Sequence, residues 1–138
     1  MWTCPECSRS FRRNKQQHIC VQKDPYDLVE GKPDNVLLAF DTLLTRLLEG
    51  EGCGVDASKN TVLFNVNLRV WLVVRPMKDK LDLGFYYDEE LQSPLLHRID
   101  SLGKQRFMHH VRIEDEVELT AELMDFLKIG FDFAANKE

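Results

Sequence analysis

A change of period near residue 55 decides what this chain can fold into. Val36, Leu37, Phe40, Leu43, Leu44, Leu47 and Leu48 recur at three- and four-residue steps, the stripe of an amphipathic helix. Pro33-Asp34 opens it, Pro being suited to the first helical position, and Gly50-Glu51-Gly52 closes it. From Val55 the period becomes two, which is the period of strands. The predicted strands are 55–58, 61–66, 68–75 and 80–88, with a hairpin turn at Pro76-Met77-Lys78-Asp79. Along the third, Leu68, Val70, Leu72 and Val74 share one face, and Arg69, Trp71, Val73 and Arg75 share the other. Along the fourth, Leu81, Leu83, Phe85 and Tyr87 oppose Asp82, Gly84 and Tyr86. A short helical turn at 93–96 and a strand over 105–113 follow. The closing helix is predicted from Glu114-Asp115, acids suited to its positive end, with Val117, Thr120, Leu123, Met124, Leu127 and Phe131 turned inward. Helix, antiparallel strands, helix is an α+β arrangement in which two helices cover one face of a sheet.

With 138 residues, 43% hydrophobic and 30% charged, the chain has the makings of one folded domain and a small appendage. Charge interrupts every apolar stretch well before the ~18–20 residues that a membrane span needs. Met1-Trp2-Thr3-Cys4 has no charged lead and no apolar run behind it, so a cytoplasmic location and no membrane partner are expected. The net charge of −5 is unevenly divided. Residues 1–23 carry Arg9, Arg12, Arg13, Lys15 and Lys23 against Glu6 alone, a balance of +4, which leaves −9 on the rest. A basic head precedes an acidic body.

That head has metal-ligand spacing. Cys4 and Cys7 are separated by two residues, the step from which a tight turn offers two sulfurs to one ion, and His18 and Cys20 follow. Three Cys and one His make a closed tetrahedral zinc set with no position left for a reacting water, and three thiolates favour zinc over a hard cation. One structural zinc is therefore expected in residues 1–22. Binding contributes on the order of 10 kcal/mol in fingers of this size, so the segment depends on the metal for its fold. Phe11, with Trp2 as a second candidate, would fill its small core. His18 and Cys20 are two residues apart and cannot face one ion from a single helix, so Cys20 is predicted just past a short helix. That helix is too short to read a major groove. Cys53, in Gly-Glu-Gly-Cys-Gly, reads as an incidental thiol. Residues 23–32, with Pro25 and Gly31, read as a linker, and 33–138 as the α+β body.

The opening Trp-Thr-Cys-Pro-x-Cys with a following Phe, and Gln17-His18-Ile19-Cys20, resemble the start of a bacterial family, domain of unknown function 5655. Gly31-Lys32-Pro33, Lys59-Asn60-Thr61-Val62-Leu63-Phe64 and Phe107-Met108-His109-His110-Val111-Arg112 are similar to its characteristic stretches. Ser8 stands where such knuckles usually have Gly. The resemblance implies a short finger paired with a small α+β domain. It also implies a setting beside nuclease-like modules, hence nucleic acid; a more distant likeness is to frataxin-like iron-handling proteins.

In the body, His110 and Arg112 share a strand face and could line an anion site with Lys59 and Arg69. Trp71 and Tyr86 fall on the mixed faces of adjacent strands, where aromatics can stack bases. The acids Glu114, Asp115, Glu116 and Glu118 could hold a cation or simply cap a helix. Phosphate loop, dinucleotide fingerprint, nucleophile elbow and zinc-protease motif are all missing, so no catalytic residues are expected. The leading expectation is a non-catalytic zinc-finger module that engages nucleic acid or another phosphate-bearing ligand, with Arg9, Arg12, Arg13 and Lys15 contacting phosphate. The alternatives are a metal-handling or small-molecule-binding body with a purely structural finger, and an adaptor whose finger grips a protein.

Overall fold

The computed structural model describes residues 2–5, 10–11, 24–49 and 53–136. At the start, β1 (Trp2–Thr3) pairs antiparallel with β2 (Ser10–Phe11), and the ladder sets Trp2 opposite Phe11, the two aromatics expected in the finger. Cys4, next to β1, is buried. Cys7, His18 and Cys20, the basic residues Arg9, Arg12, Arg13 and Lys15, and the helix-closing Gly50-Glu51-Gly52 lie outside the described residues.

The body is a six-stranded antiparallel sheet with α1 (Asp34–Leu48) and α2 (Ala121–Ala135) on one face, the α+β architecture that the periodicity implies. The strands are β3 (Gly54–Ala57), β4 (Val62–Val66), β5 (Arg69–Pro76), β6 (Leu81–Tyr87), β7 (Arg98–Ser101) and β8 (Phe107–Ile113), in spatial order β3-β4-β5-β6-β8-β7. β3 to β6 form a meander. β8 then crosses to pair with β6 and leaves β7 at the edge. The short, charged β7, Arg-Ile-Asp-Ser, lies outside the predicted strands because it has no apolar run to mark it.

One contiguous core joins Val36, Phe40 and Leu43 of α1, Leu123 and Leu127 of α2, and the inner residues of the sheet, among them Val62, Phe64, Leu72, Val74, Leu83 and Phe85. Gly130 lets α2 approach closely, since a Cβ there would sit 3.0 Å from the Phe85 Cβ. A short 3-10 turn, Pro25–Val29, lies in the stretch expected as linker and adds Val29 to the core. Its Tyr26 hydroxyl donates to Asp41 of α1 at 2.6 Å, a bond that pushes the phenol up to about 12.

Three details differ from the expected faces. The β4–β5 register shifts between Phe64 and Asn65: Phe64 pairs with Leu72 and Asn65 with Val70, which leaves Trp71 as the extra residue of a bulge. Trp71 and Leu72 are consequently both buried, and Trp71 meets Phe131 of α2 edge-on at 5.3 Å. Trp71 is therefore a core residue and not a stacking platform. Leu68 is not in a strand. With Asn67 it forms the β4–β5 turn, both at positive φ (51° and 64°), as a type I′ hairpin requires. Finally, the acids at 114–118 do not open α2. Asp115 caps a separate 3-10 turn, Glu116–Glu118, and α2 begins at Thr120, whose hydroxyl accepts from the Leu123 N–H at 3.2 Å. Val117 is accordingly 77% exposed instead of buried, and Thr120 is a cap.

Candidate functional site

The helices cover one face of the sheet and, among the described residues, leave the other open. Alternation along paired strands puts Val73 and Arg75 of β5, Asp82, Gly84 and Tyr86 of β6, Met108, His110 and Arg112 of β8, and Arg98 and Asp100 of β7 on it. Two cross-strand rows organise it: Arg75–Asp82–Arg112, and Val73–Gly84–His110–Arg98. Gly84 has no side chain, and the Met108 side chain lies over it.

His110 is the centre of a network. Its Nδ1 lies 3.2 Å from Asp82 Oδ2 and its Nε2 lies 3.0 Å from Asp100 Oδ2. Each aspartate in turn faces an arginine: Arg98 Nη2 is 3.2 Å from Asp100 Oδ2, and Arg112 Nε is 3.8 Å from Asp82 Oδ1. The outcome is an Arg–Asp–His–Asp–Arg chain across three strands, whose His110 side chain is only 9% exposed although, among the described residues, no helix covers it. Among the described residues Asp82 Oδ1 is buried without a hydrogen bond, and the longer Arg112 contact supplies its counter-charge. With a carboxylate at each ring nitrogen, His110 can donate to both only when doubly protonated. Neither nitrogen is left open to act on a substrate. The network fixes the edge strand β7 to β8 and β6, and directs two guanidinium groups outward. A third, Arg106, stacks on Tyr86 with its Cζ 4.7 Å from the ring centroid.

Of the four body residues expected to cooperate, His110 and Arg112 do share a face. Lys59 lies in the exposed β3–β4 turn, and Arg69 heads β5 opposite Val66, at the other end of β4 and two strands from β8. These two are not brought to His110. Asp82, Asp100, Arg98 and Arg106 take their place. Gly103, flanked by short polar runs, was the available sign of the β7–β8 hairpin that carries three of them.

His109 points the other way. It is fully buried, stacked on Phe85 with centroids 5.0 Å apart, and its Nε2 accepts from the Leu91 N–H at 3.1 Å. Burial pushes its pKa below the ordinary value, against opposing pulls from the backbones of Glu89, Phe107 and Phe85 and from Glu90. The acids at 114–118 are taken up locally: Glu118 accepts from the Glu114 N–H and Glu116 from Thr42 Oγ1. Among the described residues no group of His, Cys, Asp and Glu is arranged to hold a metal ion.

Charge is segregated between the two layers. Residues 24–49 and 114–136, which contain the helices, hold thirteen Asp and Glu against three Lys and Arg. Residues 50–113, which contain the sheet, hold eight acids against nine bases. The acidity of the body therefore belongs to its helical side.

A family described as "Domain of unknown function (DUF5655)" matches residues 26–134, most of the chain. The chain belongs to this family. The DUF5655 match begins at Tyr26, so the family domain is the α+β body, including the 3-10 turn before α1. No curated protein and no solved structure matches the chain. Among the described residues, no helix is long and apolar enough to cross a membrane.

Proposed function

We propose that this DUF5655 protein is a non-catalytic binding module for nucleic acid, with its uncovered sheet face and its basic N-terminal segment as the two contacts. The observation that carries this reading is the set of arginines on one open face: Arg75, Arg98 and Arg112, with Arg106 stacked on Tyr86 beside them. Guanidinium groups held by carboxylates keep their remaining N–H donors directed, which suits phosphate oxygens. An open antiparallel face also suits a single strand better than a duplex, because a strand can lie along it with bases against Tyr86 and Met108. The acidic helical layer would face away from the ligand.

The N-terminal segment supplies one structural zinc site, from Cys4, Cys7, His18 and Cys20. The ligand composition supports it, as does the small β1–β2 hairpin that starts the segment. Zinc there orders the segment and carries Arg9, Arg12, Arg13 and Lys15 as a compact basic unit. Elemental analysis of the purified protein should give one zinc per chain and no iron; Cys7→Ser should lose it.

Fluorescence anisotropy with labelled single- and double-stranded oligonucleotides tests the ligand. Affinity should fall steeply between about 50 and about 200 mM salt, as counterion release demands. Arg98→Gln with Arg112→Gln, and separately Arg12→Gln with Arg13→Gln, should each weaken binding and flatten the salt dependence. Absence of binding to either oligonucleotide at the lower salt would refute the reading.

A further inference from the structure

The helical layer has only three basic residues, Lys32, Arg46 and Lys128, and two of them stand at one place. Arg46 and Lys128 both line a cavity of about 280 Å³ between α1, α2 and β5. Leu47, Trp71, Leu127 and Phe131 form its apolar walls, and both basic residues are exposed, as a mouth requires. Elsewhere acids prevail in this layer, so two cations at an apolar cavity are a local reversal of sign.

The walls also present a donor. Trp71 is 1% exposed, and among the described residues its buried indole N–H has no hydrogen-bond partner. Cys53 lines the cavity too, and burial pushes its thiol up, a rise that the neighbouring indole tempers. A ligand's apolar part can lie against the indole ring, while its charged group belongs at the mouth with the two cations. Arg46 is held in place, its Nη1 donating to the Leu119 carbonyl at 3.1 Å, with its other N–H groups uncommitted to that bond. The volume lies near the lower end of the ~300–1,000 Å³ common for ligand pockets, which limits the occupant to a small molecule.

We propose that this cavity binds a small monocarboxylate with an apolar tail, the tail against Trp71, Leu127 and Phe131 and the carboxylate between Arg46 and Lys128. A neutral headgroup would leave the ligand the walls alone; a cationic headgroup would meet two like charges. The site is on the opposite side of the sheet from the arginine face and does not rest on the nucleic-acid reading.

The protein has two tryptophans, so full-length Trp2→Phe leaves Trp71 as the sole tryptophan, to be excited at the red edge where tyrosine does not absorb. Octanoate, octanol and octylammonium are titrated against it, with calorimetry in parallel. Octanoate should change Trp71 emission saturably, octanol should bind at least tenfold more weakly, and octylammonium more weakly still. Arg46→Gln with Lys128→Gln should bring octanoate to the level of octanol. Because Arg46 also holds the Leu119 carbonyl, Lys128→Gln is measured alone as well and should cost octanoate severalfold while leaving the urea midpoint unchanged. No saturable signal with octanoate, equal affinity for octanoate and octanol, or an undiminished octanoate affinity in both variants would overturn the proposal.

Discussion

Replacing His109 with Phe should remove a specific part of the protein's acid sensitivity. The ring is buried, stacked on Phe85, and accepts the Leu91 N–H through Nε2, so its proton sits on Nδ1, which has no partner. Phe keeps the stack but loses the acceptor, which costs about 1 kcal/mol, and it also removes the unpartnered Nδ1–H, which returns a similar amount. At neutral pH the two variants should therefore differ by no more than about 1 kcal/mol. Acid separates them. Burial lowers the His109 pKa in the folded state below the ordinary 6.5, so between the two values the unfolded chain binds the extra proton. Stability is complete above about 6.5 and falls as pH drops through the window beneath it, by up to ~1.4 kcal/mol per pH unit. Urea melts followed by far-UV circular dichroism at three pH values from 7.5 to 5.5 measure this. The wild-type curve should fall below the Phe variant's by up to ~1.4 kcal/mol at the acid end, with His97, His110 and the carboxylates common to both. Parallel pH profiles would refute the assignment of a neutral, desolvated His109.

Three further outcomes are expected. Leu68→Gly should raise the urea midpoint: Leu at φ 64° costs about 1–2 kcal/mol, more than the ~0.5–1 kcal/mol of extra chain entropy that Gly loses. A lowered midpoint would mean that Leu68 packing outweighs the turn. Thr120→Ala should cost about 1 kcal/mol by removing the acceptor of the Leu123 N–H, and Thr120→Ser should restore most of it in the same melts. Chelation of zinc should abolish NMR dispersion of the residue 1–22 amides while leaving those of 34–136 unchanged; loss of the body's dispersion would show that the two depend on one fold.

Residues whose partners lie nearby in sequence were legible from it, and residues placed by distant pairing were not. The α1 stripe and the β5–β6 hairpin follow from local periodicity and turn chemistry. So does the shared face of His110 and Arg112, which needs only that they are two residues apart on a strand. Trp71 escaped because a bulge is a single extra residue, and one residue is enough to exchange the faces of a strand. The late start of α2 escaped because acids before a helix also cap a 3-10 turn, and Asp115 does so. Asp82 and Asp100 could not be assigned to His110 from periodicity at all. Their meeting depends on β8 crossing to lie between β6 and β7, a choice of neighbour that no spacing along the chain encodes. Lys59 and Arg69 were drawn in by charge alone, and the topology separates them.

That crossing has a bearing on how the protein assembles. β3 to β6 are joined only by short turns, and β7 and β8 by another, so each set closes over short loops at low entropic cost. The seven-pair β6–β8 ladder instead joins residues as far apart as Leu81 and Ile113, so it carries the larger closure cost, and docking of the hairpin on the edge of the meander is the step expected to come last. His110 is gripped from both pieces, by Asp82 of the meander and Asp100 of the hairpin. Its imidazole resonances in refolding followed by NMR would time that docking step, separately from the formation of either piece.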